Sequence, residues 1–297
     1  MDEQLFARLA ERLALSPDQD VVLASVLETD GATPRKSGSR MLITAAQSDF
    51  SVGGGQLEAR VIAAARQLLA GADDSQQLHI DLHGRADSAG VCGGRLRIAL
   101  RRWRDVDGAR AQQIQSALEA GETVTLNAAE QGSDVADACL LRPNPRLLIV
   151  GAGHCGRALY AAAQSLGFDL WVHDSRREQL ASALYPNAQC LVGEAALLAQ
   201  AANSARPLYA VLLNRDYGAD VAALSVLLPL QPAFVGMMGS RRRIAQVLAD
   251  PALREHSERL AMIHAPIGLA IGAQTPAEIA VSILAQLIAE RARLGRS

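Results

Sequence analysis

A glycine-rich turn after a buried hydrophobic run places the strongest constraint on how this chain folds. Leu147–Val150 is an unbroken apolar run, which is typical of a strand buried on both faces of a parallel sheet. Gly151, Gly153 and Gly156 follow with G-x-G-x-x-G spacing. Such glycines allow a tight turn, a close approach of backbone to a pyrophosphate, and close packing of helix on strand. The pattern predicts a Rossmann-type turn, and the alternative is a plain strand-to-helix connection.

The residues after this turn supply the context that glycine spacing alone lacks. Residues 168–173 predict the next strand, and Asp174 ends it. A carboxylate about twenty residues past the glycines accepts hydrogen bonds from ribose hydroxyls in Rossmann folds. A histidine inside the turn lies where a ligand would bind, although a lone histidine is equally often structural. The predicted nucleotide or cofactor contacts here are Gly151, Gly153, His154, Gly156 and Asp174.

The chain length and two prolines predict the domain organisation. The 297 residues are enough for one large or two ordinary domains. Pro143 and Pro145 favour extended backbone, so we divide the chain into residues 1–142 and residues 143–297. The predicted class is α/β, with a smaller N-terminal α+β domain followed by a C-terminal Rossmann-like domain that has a doubly wound parallel sheet. Within the first domain the pattern predicts helices over residues 2–15 and 101–121 and a loop over residues 127–133.

Charge and hydropathy narrow the class of partner. A net charge of −2 without basic runs gives no footprint for nucleic acid. The first residues lack the basic and apolar regions of a signal peptide. The most apolar window, residues 221–238, is interrupted by two prolines and predicts a helix followed by a strand. With four scattered cysteines and no C-x-x-C pair, we expect a reduced, soluble, cytoplasmic protein with no membrane or nucleic-acid partner.

A long loop in the first domain carries clustered basic and hydroxyl residues. Residues 21–27 and 41–44 predict strands, and residues 28–40 between them are too many for a minimal hairpin. Loops of this kind carry function more often than they merely connect. Guanidinium groups there suit an anion, so Arg35 and Arg40 are predicted cofactor contacts. The alternative is a solvated hairpin tip.

Three consecutive glycines precede a predicted helix in the same domain. Gly53, Gly54 and Gly55 remove side chains where a ligand must approach the backbone. The helix is predicted over residues 59–69, and Glu58 lies in its first turn. Glu58 is explained equally well as a ligand contact or as a partner of the helix dipole.

A cysteine lies in a further glycine turn, between strands predicted over residues 78–83 and 95–100. A free cysteine is commonly a small buried hydrophobe. A thiol between glycines at a strand end is less easily explained by packing, so Cys92 and Gly93 are predicted ligand contacts.

A basic turn follows a later strand of the second domain. Residues 233–238 predict a buried strand, and Gly239 leads into a helix that begins with three arginines. Ligands in open α/β sheets gather at the carboxyl ends of strands, and arginine in a first helical turn opposes the helix dipole. Ser240 and Arg241 are therefore predicted anion contacts, and the alternative is a helix start with solvated basic residues.

Together these motifs resemble the XdhC/CoxI family. Two departures are visible: Val91 stands where the xanthine dehydrogenase branch often has a second cysteine, and residues 213–217 lack both histidines of a run that relatives often carry. The matching segments, in family order, are Glu28-Thr29, Gly31–Arg35, Gly38–Met41, Gly53–Gly55 with Leu57-Glu58, Cys92–Gly94, Gly151–His154, Gly239–Arg242, Ile267–Leu269 and Ala280–Ile283.

The resemblance implies an accessory protein, or chaperone, of molybdenum hydroxylases of the xanthine dehydrogenase, carbon monoxide dehydrogenase or aldehyde oxidoreductase type. It implies that the chain binds the molybdenum cofactor, supports its sulfuration and delivers it to the apo-enzyme. Further implied partners are a cysteine desulfurase or a nucleotidyltransferase of cofactor maturation, and a second copy of the chain in a homodimer. Cys92 would approach the molybdenum as a metal contact. Glycine loops and arginines would hold the phosphate end of molybdopterin or of its cytosine dinucleotide form.

Two other functions stay open from the residues alone. A Rossmann turn followed by Asp174 equally predicts NAD or another nucleotide, so the alternative is an NAD(P)-dependent oxidoreductase. No G-x-S-x-G, H-E-x-x-H or P-loop motif occurs in the sequence, and no clear pair of proton donor and substrate arginine follows. These observations favour a non-catalytic chaperone. The third possibility is a sensor or assembly factor that binds a nucleotide only for structure.

Overall fold

The computed structural model describes residues 2–16, 18–83, 93–134 and 138–294. The chain divides into two compact units, Met1–Pro143 and Asn144–Ser297, one residue from the predicted division after residue 142. The first unit contains an antiparallel sheet with helices, and the second a parallel sheet with helices. The predicted α/β class, with a Rossmann-like C-terminal unit, is confirmed.

The first unit is built on a five-stranded sheet whose described pairings are antiparallel. Its strands are β1 (Val21–Asp30), β2 (Arg40–Ile43), β3 (Ser48–Phe50), β4 (Ser75–Asp81) and β5 (Arg95–Trp103), adjacent in the order β3-β2-β1-β5-β4. The helices are α1 (Asp2–Leu15), α2 (Gly55–Ala70), α3 (Gly108–Glu119) and α4 (Ala128–Gln131), and β6 (Val124–Leu126) pairs with β7 (Cys139–Leu141).

Alternate side chains of β1 belong to two apolar clusters, one on each face of this sheet. Val22, Ala24 and Val26 join the cluster formed with α2. Val21 and Leu23 join the cluster formed with α1 and α3. Because successive side chains of a strand point to opposite faces, one strand supports both layers of helices.

Two predicted elements of the first unit are wrong in detail. The helix predicted over residues 101–121 begins late, because β5 continues through Trp103, which is buried edge-to-face against Phe6. The loop predicted over residues 127–133 contains α4. There the Asn127 side chain accepts from the Glu130 N–H, and the Glu130 carboxylate accepts from the Asn127 N–H. This capping box satisfies two donors at the helix start, so a short helix forms.

The second unit contains a parallel sheet of five described strands. They are β8 (Arg146–Val150), β9 (Asp169–Asp174), β10 (Gln189–Val192), β11 (Leu208–Leu212) and β12 (Phe234–Met237), adjacent in the order β10-β9-β8-β11-β12. The helices are α5 (His154–Ala163), α6 (Tyr217–Leu227), α7 (Arg241–Leu248), α8 (Ser257–Leu260) and α9 (Pro276–Leu294). The strand order reverses between β8 and β11, which is where open α/β sheets form a crevice.

Helices cover both faces of the parallel sheet. One apolar cluster contains residues of α5 and α9, including Leu159 and Ile283. The cluster on the opposite side contains residues of α6 and α7, including Leu224 and Val247. The sheet is therefore doubly wound, as predicted. None of the helices in the described part of the chain has both the length and the apolarity needed to cross a membrane.

The glycine turn joins β8 to α5 by close packing. The helix begins at His154, directly after Gly153. Gly151 has a φ of +108°, a conformation that side chains disfavour. A Cβ on Gly156 would lie 2.1 Å from the Gly151 carbonyl oxygen, so α5 can rest on the turn only without a side chain there.

Replacing Gly156→Ala is expected to lower the free energy of unfolding by about 1–3 kcal/mol, because the added methyl group must push α5 away from the turn. Gly153→Ala is the matched control, since a Cβ on Gly153 would meet no atom within 4 Å. Urea denaturation of both variants measures the difference. Equal stability of the two variants would contradict this packing.

Candidate functional site

A cleft of about 950 Å³ lies along the carboxyl edge of the parallel sheet. Each strand contributes residues at or just past its end: Gly151 after β8, Asp174 from β9, Gly193 after β10, Asn214 after β11 and Met238 after β12. The volume lies within the range of about 300–1,000 Å³ that is usual for small-molecule sites. The cleft lies at the switch point of the sheet, where open α/β folds bind their ligands.

The glycine turn forms one wall of this cleft. Gly151, Gly153 and the exposed His154 all line it. The first N–H groups of a helix have no intrahelical partner and attract anions, and the start of α5 lies at this wall. Cys155 lines the cleft as well but packs against the apolar core, which agrees with a packing role. Gly156 is buried beneath the turn and serves the fold.

Asp174 is buried at the end of β9 and joins two loops. One carboxylate oxygen accepts from the Ala152 N–H at 2.9 Å. The side chain of Arg176 forms a bidentate pair with both carboxylate oxygens, at 2.9 Å each, and the Arg176 N–H donates at 3.0 Å. Burial by itself raises the pKa of Asp174, but the hydrogen bonds from Arg176 and Ala152 outweigh it and the pKa is lowered. The carboxylate is therefore ionised and already hydrogen-bonded, rather than open to a ribose as predicted.

His173 is a cleft residue that no sequence motif indicates. Its side chain is buried, and Nε2 donates to the Gly193 carbonyl at 3.0 Å. Burial lowers the pKa of His173, so the ring is neutral at pH 7. Since a carbonyl only accepts, Nε2 carries the proton. Nδ1 has no hydrogen-bond partner among the described residues.

A buried acid that no motif indicates fixes the opposite side of the cleft. Asp220, fully buried in α6, accepts from the Asn214 side-chain amide at 3.2 Å and lies 3.2 Å from Arg243 Nη2. Arg243 also donates to the carbonyls of Asn214 and Met238. It therefore links the loops that follow β11 and β12. Burial raises the pKa of Asp220 to about 6, although Arg243 opposes the shift.

The basic turn before α7 has a structural explanation. The Ser240 hydroxyl accepts from the Arg243 N–H at 3.2 Å and caps α7. Ser240 and Arg241 are exposed, and neither belongs to the lining of the described cleft. A serine directly before a helical pattern is itself a capping signal. Ligand contact at these two residues stays a prediction.

Two glycine motifs of the first unit, around Gly53 and Gly94, pack against the loop that follows β1. A Cβ on Gly53 would lie 2.8 Å from a side-chain carbon of Pro34, and a Cβ on Gly94 would lie 2.4 Å from the Ala32 carbonyl oxygen. The loop after β1 therefore contacts both the triple-glycine turn and the chain entering β5. Cys92, with its predicted metal and cofactor roles, lies outside the described residues, directly before Gly93.

The structure places the other predicted residues of the first unit as follows. The Glu58 carboxylate accepts from the Gly54 N–H at 3.0 Å, which agrees with the role at the helix start; Gly55 is the first residue of α2. Arg40 is buried and pairs with Asp2 at 2.7 Å, so its charge already serves the fold. Arg35 is exposed.

No group of three or more His, Cys, Asp or Glu side chains within the described ranges is placed to hold a metal ion.

A doubly wound parallel sheet with a glycine turn at its switch point defines the second unit as a Rossmann-type domain. The sequence model of the XdhC Rossmann domain matches residues 147–287, and that of the XdhC and CoxI family matches residues 14–81. One match falls in each unit. The chain belongs to the XdhC and CoxI family, as the resemblance indicated.

Two curated proteins and one solved structure are similar to this chain. The chain is 32% identical over 277 residues to the uncharacterized protein YqeB of Escherichia coli (strain K12), covering 90% of this chain and 42% of that protein. It is 31% identical over 157 residues to a protein of Bacillus subtilis (strain 168) named as a probable subunit of xanthine dehydrogenase, covering 52% and 45% respectively. The chain thus matches less than half the length of either curated relative. A crystal structure described as a xanthine dehydrogenase from Bacillus halodurans shares the fold, with a TM-score of 0.82 and 23% identity over 97% of this chain and 96% of that chain.

Asp220 predicts an unusual dependence of stability on pH. Because its pKa rises from 3.8 to about 6 on folding, the folded state binds the proton more tightly, and stability falls as pH rises between these values. The wild type is expected to lose roughly 1–3 kcal/mol relative to Asp220→Asn between about pH 4 and pH 7. Urea denaturation across this range measures the difference. The exposed Asp18→Asn is the control, and pH curves of Asp220→Asn that run parallel to wild type would contradict the assignment.

Proposed function

We propose that this chain is an accessory protein of a molybdenum hydroxylase of the xanthine dehydrogenase, carbon monoxide dehydrogenase or aldehyde oxidoreductase type. The observation that carries the proposal is the match of both units to XdhC and CoxI family models. The name of the Bacillus subtilis relative, a probable subunit of xanthine dehydrogenase, supports the same client class.

In this proposal the chain binds the molybdenum cofactor, as molybdopterin or its cytosine dinucleotide form, supports its sulfuration and delivers it to the apo-enzyme. The second unit fits the phosphate end of such a group. A Cβ on Gly153 would meet only open space, so a phosphate can lie against the backbone there, at the start of α5. When bound, the cofactor supplies the molybdenum centre that the client uses. In this proposal Cys92 would be the metal contact, as the family resemblance implies.

The buried titratable side chains at and beneath the cleft support binding rather than catalysis. Asp174 is paired with Arg176, His173 is neutral and donates to Gly193, and Asp220 is fully buried. A general acid or base must reach the proton that it transfers, and these three groups are engaged with the protein itself. A non-catalytic chaperone therefore fits better than an NAD(P)-dependent oxidoreductase. A homodimer and a cysteine desulfurase or nucleotidyltransferase as partner are part of the same proposal.

Coexpression with a client hydroxylase in a molybdenum-replete host tests the function. We expect the purified chain to carry molybdenum and pterin, measured by elemental analysis and by fluorescence of the oxidised pterin. We also expect the client to gain activity only when the chain is present. An empty chain, with a client equally active in its absence, would overturn the proposal.

Cys92→Ser is expected to lower client activation by about tenfold or more, because the thiol predicted to approach molybdenum is lost while the shape is kept. Cys190→Ala is the matched control, since burial raises the pKa of that half-buried thiol and keeps it unreactive. Activation assays and bound molybdenum are measured for both variants. If Cys92→Ser and Cys190→Ala activate the client equally, Cys92 has no role in cofactor handling.

A further inference from the structure

The carboxylate of Asp174 has no acceptor position left for a ribose. A carboxylate offers about four lone-pair positions. In this structure one oxygen accepts from the Arg176 N–H and from Arg176 Nε, and the other accepts from the Ala152 N–H and from Arg176 Nη2. Two vicinal hydroxyls would have to displace Arg176 from a bidentate pair, which is among the stronger hydrogen-bonding arrangements in proteins.

The side chains that line the cleft near Asp174 offer hydrogen-bond donors rather than free acceptors. Arg176 has five N–H groups and gives two of them to Asp174, while Nη1 makes no hydrogen bond to any described residue. Its side chain is 56% exposed and lines the cleft. Gln179 lines the cleft beside it, and its side-chain oxygen accepts from Arg157, which leaves the amide N–H groups to donate. The Ser175 hydroxyl adds another donor.

The Arg176 donors lie close to the glycine turn, because both contact the same carboxylate oxygen of Asp174. The Asp174 oxygen that accepts from Arg176 Nη2 at 2.9 Å also accepts from the Ala152 N–H at 2.9 Å. A single carboxylate oxygen therefore separates the guanidinium from the turn that would hold a diphosphate. A ribose bound here would lie with its 5′ oxygen towards the turn and its 2′ oxygen towards Arg176.

We propose that the cleft binds a nucleotide whose ribose carries a 2′-phosphate, with the 5′-phosphates on the glycine turn and the 2′-phosphate on Arg176, Ser175 and Gln179. Arg176 is the residue that selects it. A doubly charged phosphate accepts several charge-assisted hydrogen bonds from such donors, whereas an unmodified ribose finds its usual carboxylate acceptor occupied. The inference concerns the second unit alone. It uses the glycine turn to which the proposed function assigns the phosphate end of the cofactor, so the two ligands would compete there, but its tests do not depend on the molybdenum role.

Calorimetric titration of the purified full chain with two matched pairs, 2′,5′-ADP against 5′-AMP and NADP⁺ against NAD⁺, tests this proposal. We expect the 2′-phosphorylated member of each pair to bind about tenfold or more tightly. Equal affinities, tighter binding of the unphosphorylated members, or no saturable binding of any of the four would overturn it.

Variants show whether Arg176 makes the selection. Arg176→Ala removes the guanidinium donors and frees the Asp174 carboxylate, so the preference is expected to reverse towards NAD⁺. Arg177→Ala is the control, because Arg177 is an exposed neighbour outside the cleft lining, and the wild-type ratio should persist. An unchanged ratio in Arg176→Ala would overturn the assignment.

Gly153→Val tests the place of the 5′-phosphates. The Cβ of the new side chain would meet open space, so the variant is expected to fold, with a modest loss of thermal stability because Gly153 is the N-cap of α5. Binding of all four nucleotides is expected to be lost. Retained binding in a folded Gly153→Val protein would contradict the site. These readouts use no molybdenum, so a chain that prefers NADP⁺ but never activates a hydroxylase would refute only the proposed function, and the converse result would refute only this inference.

Discussion

The pairing of the Asp174 carboxylate with the Ala152 N–H and the Arg176 side chain is the interaction on which the candidate site depends. A buried charge is costly unless it is paired and hydrogen-bonded. This requirement ties the loop after β8 to the loop after β9. Because these hydrogen bonds outweigh burial and lower the pKa of Asp174, the link persists throughout the neutral pH range. These hydrogen bonds therefore hold two loops of the cleft wall together.

A second buried carboxylate, Asp220, helps to tie together the loops after β11 and β12, on the other side of the switch point. Asp220 lies between Asn214 and Arg243, and Arg243 reaches the carbonyls of the loops after β11 and β12. Here burial outweighs pairing, so the pKa of Asp220 is raised where that of Asp174 is lowered. Preformed sites bind with less ordering cost. The two carboxylates together tie the loops after four of the five strands, and His173 contacts the loop after β10 through the Gly193 carbonyl.

The sequence predicts the strands and the glycine turn that form this site, but it does not predict which of its side chains pair. Local signals suffice for the parallel sheet, the glycine turn and the position of Asp174, because each rests on spacing within one β-α-β unit. The pairing of Asp174 with Arg176 and of Asp220 with Arg243 depends on which groups tertiary packing buries together, and no local pattern encodes that. Ser240 is different, since its position before α7 is a capping signal that sequence reasoning could have weighed against an anion site.

Both proposals require that the glycine turn of the second unit binds phosphate groups of a ligand through free backbone N–H groups at the start of α5. Titration of isotopically labelled protein with inorganic pyrophosphate, followed by amide NMR, measures this most directly. We expect saturable shifts of the Gly153, His154 and Cys155 amide signals, with smaller changes at Arg176. Saturable shifts confined to other residues, or none at millimolar pyrophosphate, would contradict it.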